Sequence, residues 1–558
     1  EGGVRGSSGT SNVRRNRIAV RPLTLFLSPR FFAIPVLLWA ASLGCRPSEE
    51  SSPEPIQPVA STETGTQQTT TQQTASEIVD SPHRETWDVI FIADTKVGYA
   101  HTRYGRTEEN GMPVEQISSD QRLTIQRFGQ TVTMKTRYAS WETSEGQLLR
   151  FFSEMDDGSS KMTTQGQARG ETLTLKTEAA GKTMTTSMPW DASWGGFFAT
   201  EQQLEREPMQ PGECRSFKTL MPVLNQVGGV ELEAADYETT DLLDGPTELL
   251  RINGKIQLAG TTIESIIWVD EKGEALKTLL PTMNQVAYRT TREIALQEGA
   301  PGKFDLGFDT IARVDRPIAQ PHETRRVVYR VRLEGGDPAA AFSTGSTQAV
   351  QRMDDNTAEI TVRAVRPDTD LGDFPKDEPP NASELASSNY LQTDDKRVIA
   401  MANAVAQDQA DAWAVARQLE RHVRESIQTK NFSRALATAA DVAANLEGDC
   451  TEHAVLLAAL CRVRKIPARV AIGLVYYRQA QGFAYHMWTE VWIGDRWIPL
   501  DATLGRGGIG AAHLKICHSS LEGTDALGAF LPVLNLMGKL ELEIVTMDPP
   551  QDTTQPAN

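Results

Sequence analysis

The sequence has few cysteines and fewer basic than acidic side chains. Its 558 residues contain 56 Lys and Arg against 73 Asp and Glu, for a net charge of -17. A surface this acidic repels phosphate, so we expect no nucleic-acid partner. The five cysteines are far apart and form no Cys-x-x-Cys pair, which argues against a disulfide scaffold and a structural zinc site. They stand at Cys45, Cys214, Cys450, Cys461 and Cys517.

The N-terminal segment departs from this acidic average. Six arginines against one acid precede an apolar run from Phe31 to Leu43. That run is short for a bilayer span but typical of a secretion signal. Its exit, SLGC at 42–45, resembles a bacterial lipoprotein cleavage site in which Cys45 carries the lipid, with Ser42 where Leu is usual. Residues 1–45 therefore predict an exported protein, periplasmic or at the outer cell envelope and lipid-anchored at Cys45. An ordinary signal peptide or an uncleaved anchor is the alternative.

Composition divides the rest of the chain into further segments. Residues 46–84 are mainly Ser, Thr, Gln, Pro and Glu without an aromatic side chain, which predicts a disordered tether. Residues 85–303 alternate apolar and polar side chains between turn signals. This pattern predicts an antiparallel β region, either duplicated or built from unrelated hairpins. Residues 304–384 predict a small β module and linker, 385–548 a domain that mixes helices with strands, and 549–558 a polar tail.

An Asp version of a capping box opens a nearly all-apolar helix at Cys450. Asp449 precedes the helix and Glu452 follows three residues later, which places Cys450 at the first helical position. Unpaired backbone N–H groups and the positive end of the helix favour a thiolate there. The sequence thus offers Cys450 as a nucleophile, and a small buried cysteine is the alternative.

Two alternating strands joined by a Gly-Asp turn predict a β-hairpin downstream. Pairing Ile493 with Arg496 across a type II′ turn brings His486 and Asp501 onto one face as diagonal neighbours. Together with Cys450 they are the parts of a catalytic triad. In such a triad the thiol attacks an acyl carbon, the imidazole takes its proton, and the carboxylate orients the imidazole.

Four sequence blocks resemble the core of the transglutaminase-like superfamily. They are GDCTEH at 448–453, IPARV at 466–470, HMWTEV at 486–491 and WIPLDAT at 497–503. The resemblance implies an α+β papain-like fold with Cys450, His486 and Asp501 at the triad positions. It also implies an acyl-enzyme mechanism on a peptide or protein substrate, with no metal or organic cofactor. Some members complete an oxyanion hole with an aromatic or amide side chain upstream of the cysteine. This sequence has no Trp or Gln between Asn431 and Gly448, and its candidates there are Asn431 and Phe432.

The sequence as a whole predicts a multidomain protein, with N-terminal all-β antiparallel regions followed by a C-terminal α+β papain-like transglutaminase core. The predicted enzyme is a cysteine-dependent hydrolase or acyltransferase acting on amide bonds. Hydrolysis is favoured over amine crosslinking because water is plentiful at an outward-facing location. The alternative is a non-catalytic binding or scaffold protein of the cell envelope, in which the triad is vestigial.

Overall fold

The computed structural model describes most of the chain after the predicted tether. The described residues are 79, 81–109, 111–158, 161–179, 181–221, 223–258, 261–299, 304–405, 411–432, 436–522 and 526–548. The leader 1–45 with Cys45, the tail 549–558 and nearly all of the tether 46–84 lie outside these residues. The predictions made for those segments therefore stay predictions.

Fourteen strands in the first half of the described chain form one large sheet. These strands are β1 (Arg84–Ile92), β2 (Thr95–Glu109), β3 (Met112–Arg127), β4 (Gln130–Thr143), β5 (Leu148–Asp156), β6 (Lys161–Arg169), β7 (Thr172–Ala179), β8 (Lys182–Pro189), β9 (Cys214–Met221), β10 (Gln226–Leu242), β11 (Gly245–Leu258), β12 (Thr261–Val269), β13 (Ala275–Leu280) and β14 (Gln285–Thr290). Strands such as β7 alternate buried and exposed side chains, as a period of two requires when one face meets the core.

This large sheet consists of two meanders that meet in its middle. The strand order is β8-β7-β6-β5-β4-β3-β2-β1-β14-β13-β12-β11-β10-β9. β1 and β14 are antiparallel neighbours, from Trp87 opposite Thr290 to Ile92 opposite Gln285. The region therefore begins and ends on adjacent strands at the centre of the sheet.

A second sheet joins the middle of the chain to its end. Its strands are β16 (Arg326–Leu333), β17 (Gln348–Arg352), β18 (Thr357–Arg363) and β23 (Leu540–Met547), in the order β17-β18-β16-β23. β23 pairs antiparallel with β16. The last strand of the 385–548 segment thus completes the sheet that begins in the 304–384 segment.

Helices pack against a third sheet in the C-terminal segment. Its strands are β15 (Ala312–Arg313), β19 (Ala468–Tyr477), β20 (Gly482–Ile493), β21 (Arg496–Leu500) and β22 (His513–Ser519), in the order β15-β20-β19-β22 with β21 paired to β20. The helices here are α5 (Lys396–Ala404), α6 (Ala412–Ser426), α7 (Ala439–Asn445) and α8 (Cys450–Val463). α8 lies against β19 and β20, and all ten residues of β19 are buried.

Five further α-helices of four to eight residues lie elsewhere among the described residues. They are α1 (Ala199–Arg206), α2 (Arg292–Leu296), α3 (Leu306–Asp309), α4 (Pro338–Ala341) and α9 (Leu531–Leu534). Within the described ranges, no helix has both the length and the apolar character needed to cross a membrane. The predicted fold class is confirmed, with antiparallel β sheets preceding a C-terminal domain that mixes helices and strands.

Candidate active site

Helix α8 begins at Cys450, as the sequence predicts. The carboxylate of Asp449 accepts from the backbone N–H of Thr451 at 2.9 Å, and Glu452 accepts from the N–H of Asp449 at 2.9 Å. Gly448 has φ +150°, and a Cβ there would lie 2.4 Å from the Cβ of Glu452. Only glycine fits this position, so the capping box and its preceding glycine together fix the cysteine at the helix start.

The thiol of Cys450 is fully buried, with 0% exposure. Burial raises the pKa of this thiol well above its ordinary value, and the carboxylate of Asp449 adds to the rise. The backbone N–H of Met487, which donates toward the sulfur, and the charge of Arg127 act in the opposite direction. Burial thus opposes the thiolate that the helix start favours, and the state of the thiol stays a prediction. A thiol that keeps its proton needs a base to remove it.

The predicted hairpin register is confirmed, since Ile493 lies opposite Arg496 in the pairing of β20 with β21. As a result, Nε2 of His486 lies 2.8 Å from Oδ2 of Asp501, and both side chains are 1% exposed. Nδ1 of His486 has no hydrogen-bond partner among the described residues. In the tautomer that donates Nε2–H to Asp501, Nδ1 carries the lone pair and is the basic atom.

The sulfur of Cys450 lies next to the backbone of β20, the strand that carries His486. Met487, whose N–H donates toward the sulfur, directly follows His486 in the chain. A helix start and a strand therefore bring the sulfur of the predicted nucleophile to the residue that follows the predicted base in the chain. The catalytic roles of Cys450, His486 and Asp501 themselves stay a prediction.

A second histidine, His513 on β22, contacts the same carboxylate. Its Nε2 lies 3.2 Å from Oδ2 of Asp501, and its ring centroid is 5.8 Å from that of His486. Burial lowers the pKa of His513, so its neutral ring can donate to Asp501. Burial alone would raise the pKa of Asp501, but the two histidines hold it well below its ordinary value. Sequence reasoning missed His513 because β22 reaches the site only by pairing with β19, which no local spacing reveals.

These two histidines and Asp501 also have a spacing that would suit a metal ion. Their ligand atoms all lie within 4.8 Å of one another. In this structure the Nε2 atoms of both histidines face the same Asp501 oxygen, as hydrogen-bond donors do. We therefore interpret the group as a hydrogen-bonded cluster, and the expectation that no metal is required stays a prediction.

Lys430 brings a positive charge to the same place. Its Nζ is buried without a hydrogen-bond partner among the described residues, and it interacts electrostatically with Asp449, Cys450 and Asp501. Burial lowers the pKa of this ammonium. Lys430 directly precedes the stretch from Asn431 to Gly448, in which the sequence offers no Trp or Gln as an oxyanion donor. Lys430 is therefore a candidate for the missing donor.

Strand β20 carries one acid, the buried Glu490, on the same face as His486. Glu490 accepts from Nε of Arg469 at 2.8 Å and from Nζ of Lys515 at 2.6 Å, and we call these three residues the ion cluster. Burial would raise the pKa of Glu490, but Lys515 and Arg469 hold it at about 2. The alternation of apolar and polar residues along β20 indicates a polar face here. In the structure this face is buried, and its charged side chains are paired with one another.

Comparison with known proteins gives one family and several distant structural likenesses. The model of the transglutaminase-like superfamily matches residues 399–502. No curated protein sequence matches the chain. A protein of Cytophaga hutchinsonii, provisionally named a cysteine protease, is similar at 17% identity over 42% of this chain and 89% of its own, with a TM-score of 0.27. A β-barrel-like protein of Brucella abortus, from a domain family of unknown function, is similar at 4% identity over 37% of this chain and 95% of its own, with a TM-score of 0.28.

The family match covers the part of the chain in which the candidate site lies. It begins within α5, passes through α6, α7 and α8, and ends one residue after Asp501. It includes Cys450 and His486, so the sequence-based resemblance is confirmed over these residues. Residues 399–502 of this chain are a transglutaminase-like domain.

Proposed function

We propose that the transglutaminase-like domain is a thiol enzyme that acts on amide bonds of peptides or proteins through an acyl-enzyme on Cys450. The observation that carries this proposal is the 2.8 Å contact between His486 and Asp501, which leaves Nδ1 of His486 for the thiol. The family match supports a thiol enzyme and leaves the substrate to experiment.

In the proposed reaction, Nδ1 of His486 takes the proton from Sγ of Cys450 as the sulfur attacks the amide carbon. His486 returns this proton to the amide nitrogen, which leaves as an amine, and the acyl group stays on Cys450 as a thioester. Water then gives a proton to His486 and attacks the thioester, which releases the acid and regenerates the thiol. Asp501 balances the charge of the imidazolium in both steps.

The tetrahedral intermediate of each step carries a negative oxygen. The backbone N–H of Cys450 at the helix start supplies one donor to that oxygen, and the Lys430 ammonium supplies the second. Lys430 suits this role because its Nζ is buried beside the site without a partner among the described residues. Lys430→Met should lower kcat by about 10²- to 10³-fold, the usual cost of one oxyanion donor.

We propose water, rather than an amine, as the acceptor of the acyl group. An exported location supplies water in excess, and the two outcomes are separable by product analysis. Hydrolysis of a peptide-amide library releases acid and amine in equal amounts, whereas crosslinking incorporates a labelled primary amine. Incorporation that exceeds acid release would make the enzyme a transglutaminase in activity.

The first test is iodoacetamide labelling of Cys450 as a function of pH, read by peptide mass spectrometry. Cys461 is a matched internal control, because it lies on the same helix and is also 0% exposed. We expect Cys450 to react faster than Cys461 and with its own pH midpoint, because His486 can take the proton of the Cys450 thiol. His486→Ala should raise that midpoint. Equal labelling of the two cysteines, indifferent to His486, would contradict the proposal.

One observation favours the alternative of a non-catalytic binding or scaffold protein. The side chains of Cys450, His486 and Asp501 are all at most 1% exposed, and burial raises the pKa of the thiol. If Cys450 stays unreactive and every amide substrate survives, the domain is vestigial in chemistry. Work should then turn to ligands of the large sheet.

We also propose that the protein is exported and attached to a membrane through a lipid on Cys45. The support is the sequence pattern of residues 1–45 and the polar tether that follows. Metabolic labelling with palmitate should mark the wild-type protein and fail to mark Cys45→Ser. Unlabelled wild-type protein in the soluble fraction would contradict the attachment.

A further inference from the structure

The turn between β3 and β4 of the large sheet is held in a fixed shape. We call residues 127–130 the hairpin tip. Phe128 and Gly129 both have positive φ, +49° and +78°, as a tight two-residue turn requires. The carboxylate of Asp305 accepts from the N–H of Phe128 at 2.9 Å and from that of Gly129 at 2.7 Å. The tip is therefore a preformed projection of the sheet.

This hairpin tip binds the segment that leads to the nucleophile. Nη1 of Arg127 donates to the carbonyl of Phe432 at 3.0 Å, and Oε1 of Gln130 accepts from the N–H of Phe432 at 3.0 Å. The ring of Phe128 packs against the rings of Phe432 and Tyr477, with centroids 5.4 and 6.3 Å away. Both backbone polar groups of Phe432 are thus satisfied by the large sheet rather than by the transglutaminase-like domain.

Arg127 also reaches the residue next to the nucleophile. Its Nη2 lies 2.6 Å from Oδ2 of Asp449, and the two side chains are 0% and 1% exposed. Asp449 is the N-cap of α8 and directly precedes Cys450. A carboxylate this close to the sulfur opposes a thiolate, and the guanidinium of Arg127 offsets that charge.

Burial and the nearby Asp449 raise the pKa of Glu452, the second acid of the capping box, which favours its neutral form. Lys430 of the domain also interacts electrostatically with Asp449, but its Nζ makes no hydrogen bond among the described residues. The cation that hydrogen-bonds Asp449 directly is Arg127, which comes from 322 residues upstream, outside the domain. A buried pair of this kind leaves an uncompensated charge when one partner is removed.

We propose that Arg127 is a positioning residue for the reaction at Cys450, supplied to the transglutaminase-like domain by the N-terminal sheet. It holds Asp449 and the Phe432 backbone in place and neutralises the charge beside the sulfur, so the nucleophile is fully competent only when the hairpin tip is docked. This inference rests on the proposed function, because it concerns the reactivity of Cys450. It gives the large sheet a role in the chemistry beyond a linker or a separate binding unit.

The test is the pH profile of iodoacetamide labelling at Cys450 in the full chain. We expect Arg127→Met to raise the midpoint by about one unit and slow labelling at pH 7 by about tenfold, because the compensating charge is lost. Arg127→Lys keeps the charge but lacks the fork that reaches both Asp449 and Phe432, so its effect should be intermediate. Arg103→Met is the matched control, since Arg103 pairs with Asp120 on the same sheet away from the tip.

The outcomes separate this inference from the proposed function. If wild-type Cys450 reacts no faster than Cys461, the proposed function fails. If wild-type Cys450 is reactive but Arg127→Met leaves the midpoint unchanged while lowering the melting temperature, Arg127 is only structural and the inference is overturned. Should Arg127→Met not fold, Arg127→Lys decides by the same criterion. Asp449→Asn combined with Arg127→Met should return the midpoint toward wild type, because it removes the charge that Arg127 balances.

Discussion

The large sheet and the transglutaminase-like domain use the same ion-pair arrangement in opposite surroundings. In the sheet, Asp120 lies between Arg103 and Arg137, with side chains 16–33% exposed. On β20 of the domain, Glu490 lies between Arg469 of β19 and Lys515 of β22, with side chains 2–11% exposed. One carboxylate bridges two cations in both places, and the two clusters differ most clearly in burial.

Burial changes what these groups do when one of them is lost. An exposed pair is screened by water and exchanges protein contacts for hydration at little cost. A buried pair has already lost its hydration. When one partner is removed, the other stays buried as an uncompensated charge, which destabilises the fold. The site around Cys450 is of the second kind throughout. Substitutions in the two regions should therefore differ in their effects.

Asp501→Asn should have the largest effect. An amide cannot balance the imidazolium of His486, and kcat on a cleaved peptide substrate should fall by about 10⁴-fold. Asp120→Asn in the sheet is the control and should leave kcat unchanged. Equal losses in the two variants would mean that Asp501 acts through general stability rather than through His486.

Glu490→Gln should cause the largest loss of stability. It strands Arg469 and Lys515 in the buried ion cluster, and the free energy of unfolding in urea should fall by about 3–5 kcal/mol. The folded-state pKa of Glu490 is lowered to about 2, so its charge stabilises the fold above the ordinary value of about 4.3. That contribution should fade as pH falls from about 4.3 toward 2. A wild-type advantage that is constant from pH 7 to 2 would contradict this origin.

His513→Phe should have a smaller effect, on rate rather than on stability. It removes one of two donors to Oδ2 of Asp501, and kcat should fall by about tenfold, the value of one buried hydrogen bond to a charged group. His513→Gln keeps a donor at a similar reach and should recover most of the loss. Failure of Gln to improve on Phe would assign His513 to packing.

Asp120→Asn should have the smallest effect on stability. The pair is partly exposed, so the free energy of unfolding should change by no more than about 1 kcal/mol. Raising the salt concentration should reduce the difference further, because screening already weakens the wild-type pair. A change as large as that of Glu490→Gln would remove burial as the explanation of the contrast.

Patterns of neighbouring residues in the sequence correctly predicted the structural features that depend on neighbouring residues. The capping box placed Cys450 at the first residue of α8, and the Gly-Asp turn set the register that joins His486 to Asp501. Both features depend on residues within about a dozen positions, where hydrogen-bond geometry leaves few alternatives. Alternation likewise predicted the antiparallel character of the N-terminal region.

The same sequence patterns do not predict contacts between segments that lie far apart in the chain. His513 enters the site through the pairing of β22 with β19, and Arg127 arrives from a turn 322 residues before Asp449. Neither has a spacing that marks it in the sequence. The nearly all-apolar helix made a buried Cys450 one of two alternatives in the sequence, but how completely the packed domain desolvates the thiol depends on contacts between distant segments.

The meeting of β1 and β14 at the centre of the large sheet has a mechanical consequence. Trp87 lies opposite Thr290, so the chain enters and leaves this region at the same end of one antiparallel pair. A pulling force applied between the preceding segment and the transglutaminase-like domain would load the hydrogen bonds of this pair one after another. The β1–β14 pair would therefore separate one hydrogen bond at a time rather than resist in shear. Tension on the chain would act first on this pair, where the two meanders meet.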